Sequence, residues 1–322
     1  MISPRQHDFH GTCAIEPRSL ELIVGDTRRS EAIEARAAAP GDKERSLFAK
    51  VGRTAVIDII GVMRKYASWT SWFFGDAITS DLSERVNAAA EDASIESILL
   101  RIDSPGGEVA GTGALAESVW RARQRKPVTA FISDLGASAA YWVASQASKI
   151  VASPGSLVGS IGTYSVVSDW SGFFERAGIK VRVIKAGEFK GAGTLGTEIT
   201  EEQRAEFQRI IDAINREFLK AVSRGRELPG DLVRALANGR VHVASEAKRL
   251  NLIDEVGWFE DVIGEATARF RAEQVQAAQD KELRQRRAAI DKRNALAAGT
   301  TEDDAPDAVR EKLAKARLAL SR

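Results

Sequence analysis

Residues 97–107, SILLRIDSPGG, and residues 128–141, VTAFISDLGASAAY, share one pattern: an apolar run that ends in a turn of small residues. Each turn is followed by a segment with the apolar spacing of a helix. The same succession begins at Arg53, where TAVIDIIGVM precedes the helical TSDLSERVNAAAED. Alternating strands and helices are typical of βαβ units, so we predict an α/β fold with a mostly parallel sheet.

The alternation continues toward the C-terminus. Two strand-like runs, KIVASP at 149–154 and VRVIKAG at 181–187, flank the helical stretch SDWSGFFERAG. A longer helix is predicted from Thr200 to Val222, because it starts with the capping pattern T-E-E-Q and carries apolar residues on one face. The periodic pattern ends near Gly257.

We therefore predict three parts. Residues 1–48 form an N-terminal arm and linker, with a short helical signal around Glu16 to Ile23. Residues 49–264 form the α/β domain. Residues 265–322, rich in Ala, Arg, Glu and Gln, form a charged, helical and partly disordered tail.

Composition argues against several functions. The 322 residues include 46 Lys plus Arg and 45 Asp plus Glu, which gives a net charge of +1. This charge provides no overall electrostatic attraction to nucleic acid. One cysteine, Cys13, and three histidines leave little material for a disulfide or a metal site. We expect no membrane span, and a cytoplasmic start because the N-terminus lacks the apolar core of a signal peptide.

Two of the predicted turns have residues suited to chemistry. In Asp103–Gly107 the glycines let the backbone approach a ligand and offer N–H groups to an anion, although an ordinary βα turn also uses Pro and Gly. In Gly136–Tyr141 the hydroxyl of Ser138 stands among tiny residues at a helix start, as a nucleophile would. Close packing of a helix on a sheet selects the same residue types.

A serine nucleophile needs a base. His7 and His10 lie in the arm and His242 lies after the main alternation, so a Ser-His-Asp triad is not expected. A lysine can act instead if burial lowers its pKa from about 10.4 toward 7. Lys185 and Lys190 both follow a predicted strand, and the spacing does not decide between them.

A third small-residue motif, Gly159–Gly162, contains Ser160. Its hydroxyl can orient a neutral lysine or merely close a turn. Together the motifs resemble the signal peptide peptidase A family of serine peptidases over residues 54–257, about two thirds of the chain. The resemblance is carried by IDSPGG, GASAAYWVAS, ASKIVASPGSLVGSIGTY, IKAGEFKGAGT and NGRVHVASEAKRLNLIDEVG, and it implies the ClpP/crotonase-like fold.

The resemblance also implies roles for the site residues. Ser138 would be the nucleophile, and Ser160, 22 residues later, would orient the base. Lys190, 52 residues after Ser138, would be the general base rather than Lys185. The implied oxyanion hole comprises Gly106, Gly107 and Ala139, with Gly106 shaping its turn. Many members have Ser-Gly-Gly where this chain has Ser-Ala-Ala, which leaves the nucleophile intact.

No cofactor or metal is implied. Members of the family assemble as rings in which the serine and the lysine can come from neighbouring subunits, so we expect a homo-oligomer that acts on polypeptides. The segment FHGTCAIEPRSLELI is similar to the start of phage and prophage members, the head-maturation or capsid assembly proteases. The charged tail resembles a shortened scaffold-like extension.

These likenesses favour a phage endopeptidase that cleaves scaffold, capsid or portal proteins in the host cytoplasm or inside the prohead. One alternative is a soluble bacterial peptidase that acts on signal peptides or misfolded proteins. A second is a structural capsid component without proteolytic activity. A crotonase-like enzyme acting on acyl-thioesters is also conceivable, but it would not require both Ser138 and Lys190.

Overall fold

A computed structural model describes residues 13–15, 47–67, 75–297, 311, 314 and 315. The chain divides into two compact units, Met1–Ala266 and Thr267–Arg322. The helical signal predicted around Glu16 to Ile23 lies outside the described residues. The division into arm, domain and tail remains a prediction.

The described residues form strands and helices in alternation. The strands are β1 (Cys13–Ile15), β2 (Ala49–Val51), β3 (Thr54–Ile60), β4 (Met63–Arg64), β5 (Ala77–Ile78), β6 (Ser97–Ser104), β7 (Gly106–Glu108), β8 (Val128–Ala137), β9 (Lys149–Ala152), β10 (Leu157–Gly159), β11 (Val241–Val243) and β12 (Glu255–Val256). The helices are α1 (Thr79–Glu91), α2 (Thr112–Arg123), α3 (Ala139–Ala144), α4 (Ser171–Arg176), α5 (Glu201–Arg226), α6 (Gly230–Leu236), α7 (Ala244–Arg249) and α8 (Phe259–Ala297).

Eight strands form the main sheet, whose path runs β11-β10-β8-β6-β3-β2. Strand β9 also pairs with β8, and β12 pairs with β9. The neighbours β3, β6, β8 and β10 run parallel, and the antiparallel strands β2 and β11 lie at the two ends. The predicted α/β fold with βαβ units and a mostly parallel sheet is therefore confirmed.

Strand β6 shows why the sequence is so apolar here. Ile98, Leu100 and Ile102 belong to the large core on one face of the sheet. Leu99 packs on the other face in a smaller cluster that includes Phe131 and Val151. A parallel strand covered on both faces loses the alternation of an exposed strand and reads as a continuous apolar run.

Strand β8 changes partner along its length. Its first half, up to Ile132, pairs with β9, and its last residues, Leu135 to Ala137, pair with β10. Its pairing with β6 also shifts register between Ile102 and Ser104. The end of β8 is therefore held between β6 and β10, directly before Ser138.

Strand β7 belongs to a second, small sheet of four strands with the order β1-β7-β4-β5. It runs parallel to β4, with Gly107 opposite Met63. On its other side it runs antiparallel to β1. Gly107, the last residue of SPGG, is thus held by strand pairing on both sides.

The strand predicted at 181–187 is wrong for this structure. Residues 164–200 contain only the short helix α4, and most of their side chains are exposed. Ile184 is fully exposed, and Val166 is 71% exposed. A strand needs a paired neighbour for its N–H and C=O groups, and no strand among the described residues pairs with this run.

Helix α5 begins as predicted, with a capping box. Thr200 accepts a hydrogen bond from the N–H of Gln203 (3.3 Å), and the Gln203 side chain accepts one from the N–H of Thr200 (3.4 Å). The helix extends to Arg226, beyond the predicted end. Phe218 anchors it by stacking on Trp142 of α3, with ring centroids 4.7 Å apart.

Close approach of α5 to the end of α3 generates a first prediction. In a helix, Gly→Ala usually stabilises by about 0.5–1 kcal/mol. At Gly225 an added Cβ would instead overlap the backbone carbonyl of Ser145. We expect Gly225→Ala to lower the free energy of unfolding by about 1–3 kcal/mol in urea titrations. Gly230→Ala, where a Cβ meets open space, is the control and should cause no loss.

The last turn of α5 is tied to the main sheet by an ion pair. Arg226 donates to both carboxylate oxygens of Asp254 (2.8 and 3.0 Å), and that carboxylate also accepts from the N–H of Ile150 (2.6 Å). Burial by itself raises the pKa of Asp254, but the hydrogen bonds from Arg226 and Ile150 prevail and hold it below its usual value.

A lowered pKa in the folded state means stability that is present above the carboxyl's ordinary pKa and lost as the pH falls. We therefore expect Asp254→Asn to be less stable than the parent near pH 7 and to show a shallower further loss in acid below about pH 4. Thermal melts across pH test this. Asp231→Asn, at an exposed carboxylate, should follow the parent curve; an equally steep acid loss in both variants would contradict the assignment.

Candidate active site

Ser138 stands between the last residue of β8 and the first residue of α3. Its side chain is buried, with 1% of the residue exposed. The backbone has φ 55° and ψ −120°, a conformation that L-residues rarely adopt and that glycine tolerates. A serine held on a sharp, strained turn from strand to helix is the geometry in which a hydroxyl is presented as a nucleophile.

Ser160 lies beside Ser138. The parallel pairing of β8 with β10 places Gly159 opposite Ala137, and the N–H of Ser138 donates to the carbonyl of Gly159 (2.8 Å). Ser160 follows directly, is 5% exposed, and donates its N–H to Arg240 (2.7 Å). The structure thus brings together two of the predicted site residues that lie 22 positions apart in sequence.

Ser160 also has a positive φ, of 49°. Two other non-glycine residues of the described chain share this feature, Glu227 and Asn251, and both lie where a helix ends. Left-handed residues are ordinary at helix C-termini. Ser138 and Ser160 do not lie at the C-terminal end of a helix. Strained residues in such other positions cluster at functional sites.

The SPGG turn lies at the end of β6, next to the end of β8, because Ser104 pairs with Gly136. Ser104 is fully buried; its hydroxyl donates to the carbonyl of Gly61 (2.6 Å) and accepts from the N–H of Gly106 (3.2 Å). The amide of Gly106 is thereby engaged within the turn. Sequence reasoning missed this role of Ser104, although it lies inside the quoted motif.

The next residue, Gly107, lies at a position where no side chain fits, because an added Cβ would overlap the carbonyl of Met63. Ala139 is the first residue of α3 and is fully buried. The N–H of a first helical residue has no acceptor within its helix. Gly107 thus lies on strand β7 and Ala139 at a helix start, and their role as an oxyanion hole stays a prediction.

Helix α3 is fixed in place by its own side chains. The hydroxyl of Tyr141 donates to the carbonyl of Leu252 (2.8 Å), and full burial raises the pKa of Tyr141. Trp142 stacks on Phe218. The residue after the nucleophile is thus on an element that cannot shift without breaking core contacts.

Lys190 is not brought to the serines within one chain. It lies in an exposed turn, and its N–H donates to Gly187 (3.2 Å). Among the hydrogen bonds of the described residues, none joins its amine to Ser138 or Ser160. Lys185 is also exposed, and its amine donates to the carbonyl of Glu188. Neither lysine has the burial that a neutral amine requires.

His242 lies closer to the site than its place in sequence suggested. It is buried on β11, opposite Val158 of β10. Its Nδ1 lies 3.2 Å from a carboxylate oxygen of Glu246, and its Nε2 has no hydrogen-bond partner in the described part of the chain. Among the described residues the ring therefore makes no hydrogen bond to Ser138.

Among the described residues, no group of three or more His, Cys, Asp and Glu side chains is arranged to hold a metal ion. No helix there is both long and apolar enough to cross a membrane.

Part of the chain that includes the two serines matches a known family of peptidases. The profile of peptidase family S49 matches residues 121–273, which include Ser138, Ser160 and Lys190. This part of the chain is similar to that family, in line with the resemblance to signal peptide peptidase A.

Individual curated proteins are also similar to this chain. A Methanocaldococcus jannaschii protein that carries the name of a protease is 36% identical over 173 residues, covering 54% of this chain and 56% of its own length. Capsid assembly protease C of Escherichia phage lambda is 27% identical over 240 residues, covering 73% of this chain and 54% of its own length. The chain thus spans about half the length of these curated relatives.

Among solved structures, a ClpP1 mutant from Listeria monocytogenes aligns with a TM-score of 0.43 and 13% identity. The alignment covers 66% of this chain and 95% of ClpP1.

The strained backbone at Ser138 should affect the stability of variants at this position. Residues in sparsely populated conformations cost about 1–3 kcal/mol, which exceeds the 0.5–1 kcal/mol that glycine usually costs relative to alanine. We expect Ser138→Gly to unfold at a higher urea concentration than Ser138→Ala. At Ser133 of β8, where φ is not positive, the order should reverse, with Ser133→Gly less stable than Ser133→Ala. Equal stability of the two Ser138 variants would show that no strain is stored there.

Proposed function

We propose that the chain is a serine endopeptidase with a Ser-Lys dyad. The observation that carries the proposal is the buried, strained Ser138 at the β8–α3 junction, joined through Gly159 to the Ser160 motif. The match of residues 121–273 to the profile of peptidase family S49 supports the same interpretation. No cofactor is needed for this chemistry.

The reaction is acyl transfer. Ser138 Oγ attacks the carbonyl carbon of a peptide bond while the neutral amine of Lys190 takes its proton. The intermediate collapses, the C–N bond breaks, and the proton passes from the lysine to the leaving amine. Water then attacks the ester, again giving a proton to the lysine, and the acid product leaves as Ser138 recovers its hydrogen.

Negative charge on the intermediate oxygen is received by backbone N–H groups of Gly107 and Ala139. Removing one such donor typically costs about 10²–10³ in rate, so two preorganised amides are a large part of the catalytic effect. Gly106 shapes the turn, and its own amide is already engaged with Ser104.

The lysine is supplied by a neighbouring subunit. Lys190 is exposed within one chain, and the surrounding segment carries exposed apolar side chains, including Val166, Phe173 and Ile184. Such a face is typical of an interface. Covering it with a second copy would bury the lysine, lower its pKa and let Ser160 orient its amine. We therefore propose a homo-oligomeric ring with active sites between subunits.

We place the enzyme in the head-maturation branch, where it would cleave scaffold, capsid or portal proteins in the host cytoplasm or prohead. The likeness to capsid assembly protease C of phage lambda and the arm segment FHGTCAIEPRSLELI support this role. The likeness to the Methanocaldococcus jannaschii protein supports the alternative, a cellular peptidase that acts on signal peptides or misfolded protein.

Intact-mass analysis with casein and a candidate scaffold protein tests the activity. Ser138→Ala and Lys190→Ala should each abolish cleavage, while Lys185→Ala, a matched loss of an exposed lysine, should keep it. Limited trimming of the scaffold protein with slow cleavage of casein would support head maturation. Fast cleavage of casein without trimming of the scaffold protein would support the cellular alternative. Cleavage by Lys190→Ala would contradict the dyad.

Mixing the two inactive variants tests the subunit arrangement. If serine and lysine come from different subunits, co-expressed Ser138→Ala and Lys190→Ala chains restore about a quarter of the sites in a randomly mixed ring. If both come from one chain, the mixture stays inactive. Native mass spectrometry of the same sample verifies that mixed rings formed.

A further inference from the structure

The arm strand, β1 (Cys13–Ile15), pairs with the strand that carries the oxyanion-hole candidate Gly107. The pairing is antiparallel, with Cys13 opposite Glu108, Ala14 opposite Gly107 and Ile15 opposite Gly106. On its other side β7 is already paired with β4. The arm strand therefore lies on the side of β7 that the rest of the described chain leaves open.

An extended polypeptide would use that same side of β7. A peptide bond attacked by Ser138 must bring its carbonyl to the amide of Gly107. Extended peptides are recognised by adding a strand to an open sheet edge, where main-chain hydrogen bonds supply affinity. In the small sheet, the arm strand β1 covers the side of β7 on which such a peptide would pair.

We infer that the N-terminal arm is an intramolecular competitor of the polypeptide substrate, with residues 13–15 in the strand position that a substrate takes on β7. The inference rests on the proposed function and extends it to how substrate is admitted. Because the arm is covalently linked to the domain, its competition with substrate does not weaken when the protein is diluted. Access to the site then requires the arm strand to leave.

Adjacent prolines test the pairing. Neighbouring residues of a strand direct their N–H groups to opposite sides, so Ala14→Pro/Ile15→Pro removes a ladder donor whichever residue supplies it. Ala14→Val/Ile15→Val is the matched control, because valine keeps both donors and favours extended backbone. The main sheet does not include β1, so neither variant changes a strand pairing of the main sheet.

The first readout is casein hydrolysis by the full chain. With substrate below saturation we expect the proline variant to be about fivefold faster than wild type, through a lower KM at unchanged kcat. The valine control should match wild type. Equal rates for active wild type and proline variant would overturn the inference and leave the peptidase assignment standing.

The second readout does not depend on catalysis. In the Ser138→Ala background, hydrogen exchange at residues 106–108 should speed up in the proline variant relative to the valine control. The fluorescein-labelled peptide FHGTSAIEPR, which is the sequence of residues 9–18 with Cys13→Ser, should bind the proline variant and not the control. Unchanged exchange and no binding would overturn the inference. Absence of casein hydrolysis in every Ser138-containing variant would instead contradict the proposed function.

Discussion

The site depends on the parallel pairing of β8 with β6 on one side and with β10 on the other. This pairing brings three strand ends to one edge: the SPGG turn after β6, Ser138 after β8 and Ser160 after β10. In a parallel sheet the residues that follow neighbouring strands converge, which is why such edges hold ligand sites. Substitutions that slip this register would dismantle the site without touching any residue that reacts.

Strain and tight packing are concentrated at the same edge. Ser138 and Ser160 hold backbone conformations that their residue types disfavour, and Gly107 sits where no side chain fits. The surrounding core, including Tyr141 and Trp142, holds these conformations in place. The packing of helix on sheet thus offsets the free energy cost of the strained backbone, as expected where function requires a defined backbone conformation.

Two segments outside this core bear on the site in opposite ways. Residues 164–200, with Lys190, are exposed and fit a role that is completed by another copy. The arm strand instead lies against β7 within the chain. In the proposed enzyme, catalysis needs the first segment to be covered and the second to be withdrawn. Such an arrangement would restrict proteolysis to assembled particles whose arms have been displaced.

The sequence by itself determined the strand and helix succession and the positions of the small-residue turns. Apolar runs such as 97–103 and 128–134 have a local period, and glycine or serine turns have local causes, so both can be read without contacts. The capping box at Thr200 is equally local. The resemblance of the motifs then named the serines and the lysine.

Tertiary structure decided what depends on distant neighbours. The run 181–187 has the composition of a strand, but pairing requires a partner that the described chain does not place there. The double hydrogen bond of Ser104, the positive φ of Ser138 and the antiparallel seat of the arm strand arise from strands far apart in sequence. The periodicity of a segment shows which of its faces is buried. Only the assembled sheet shows which residues that face packs against.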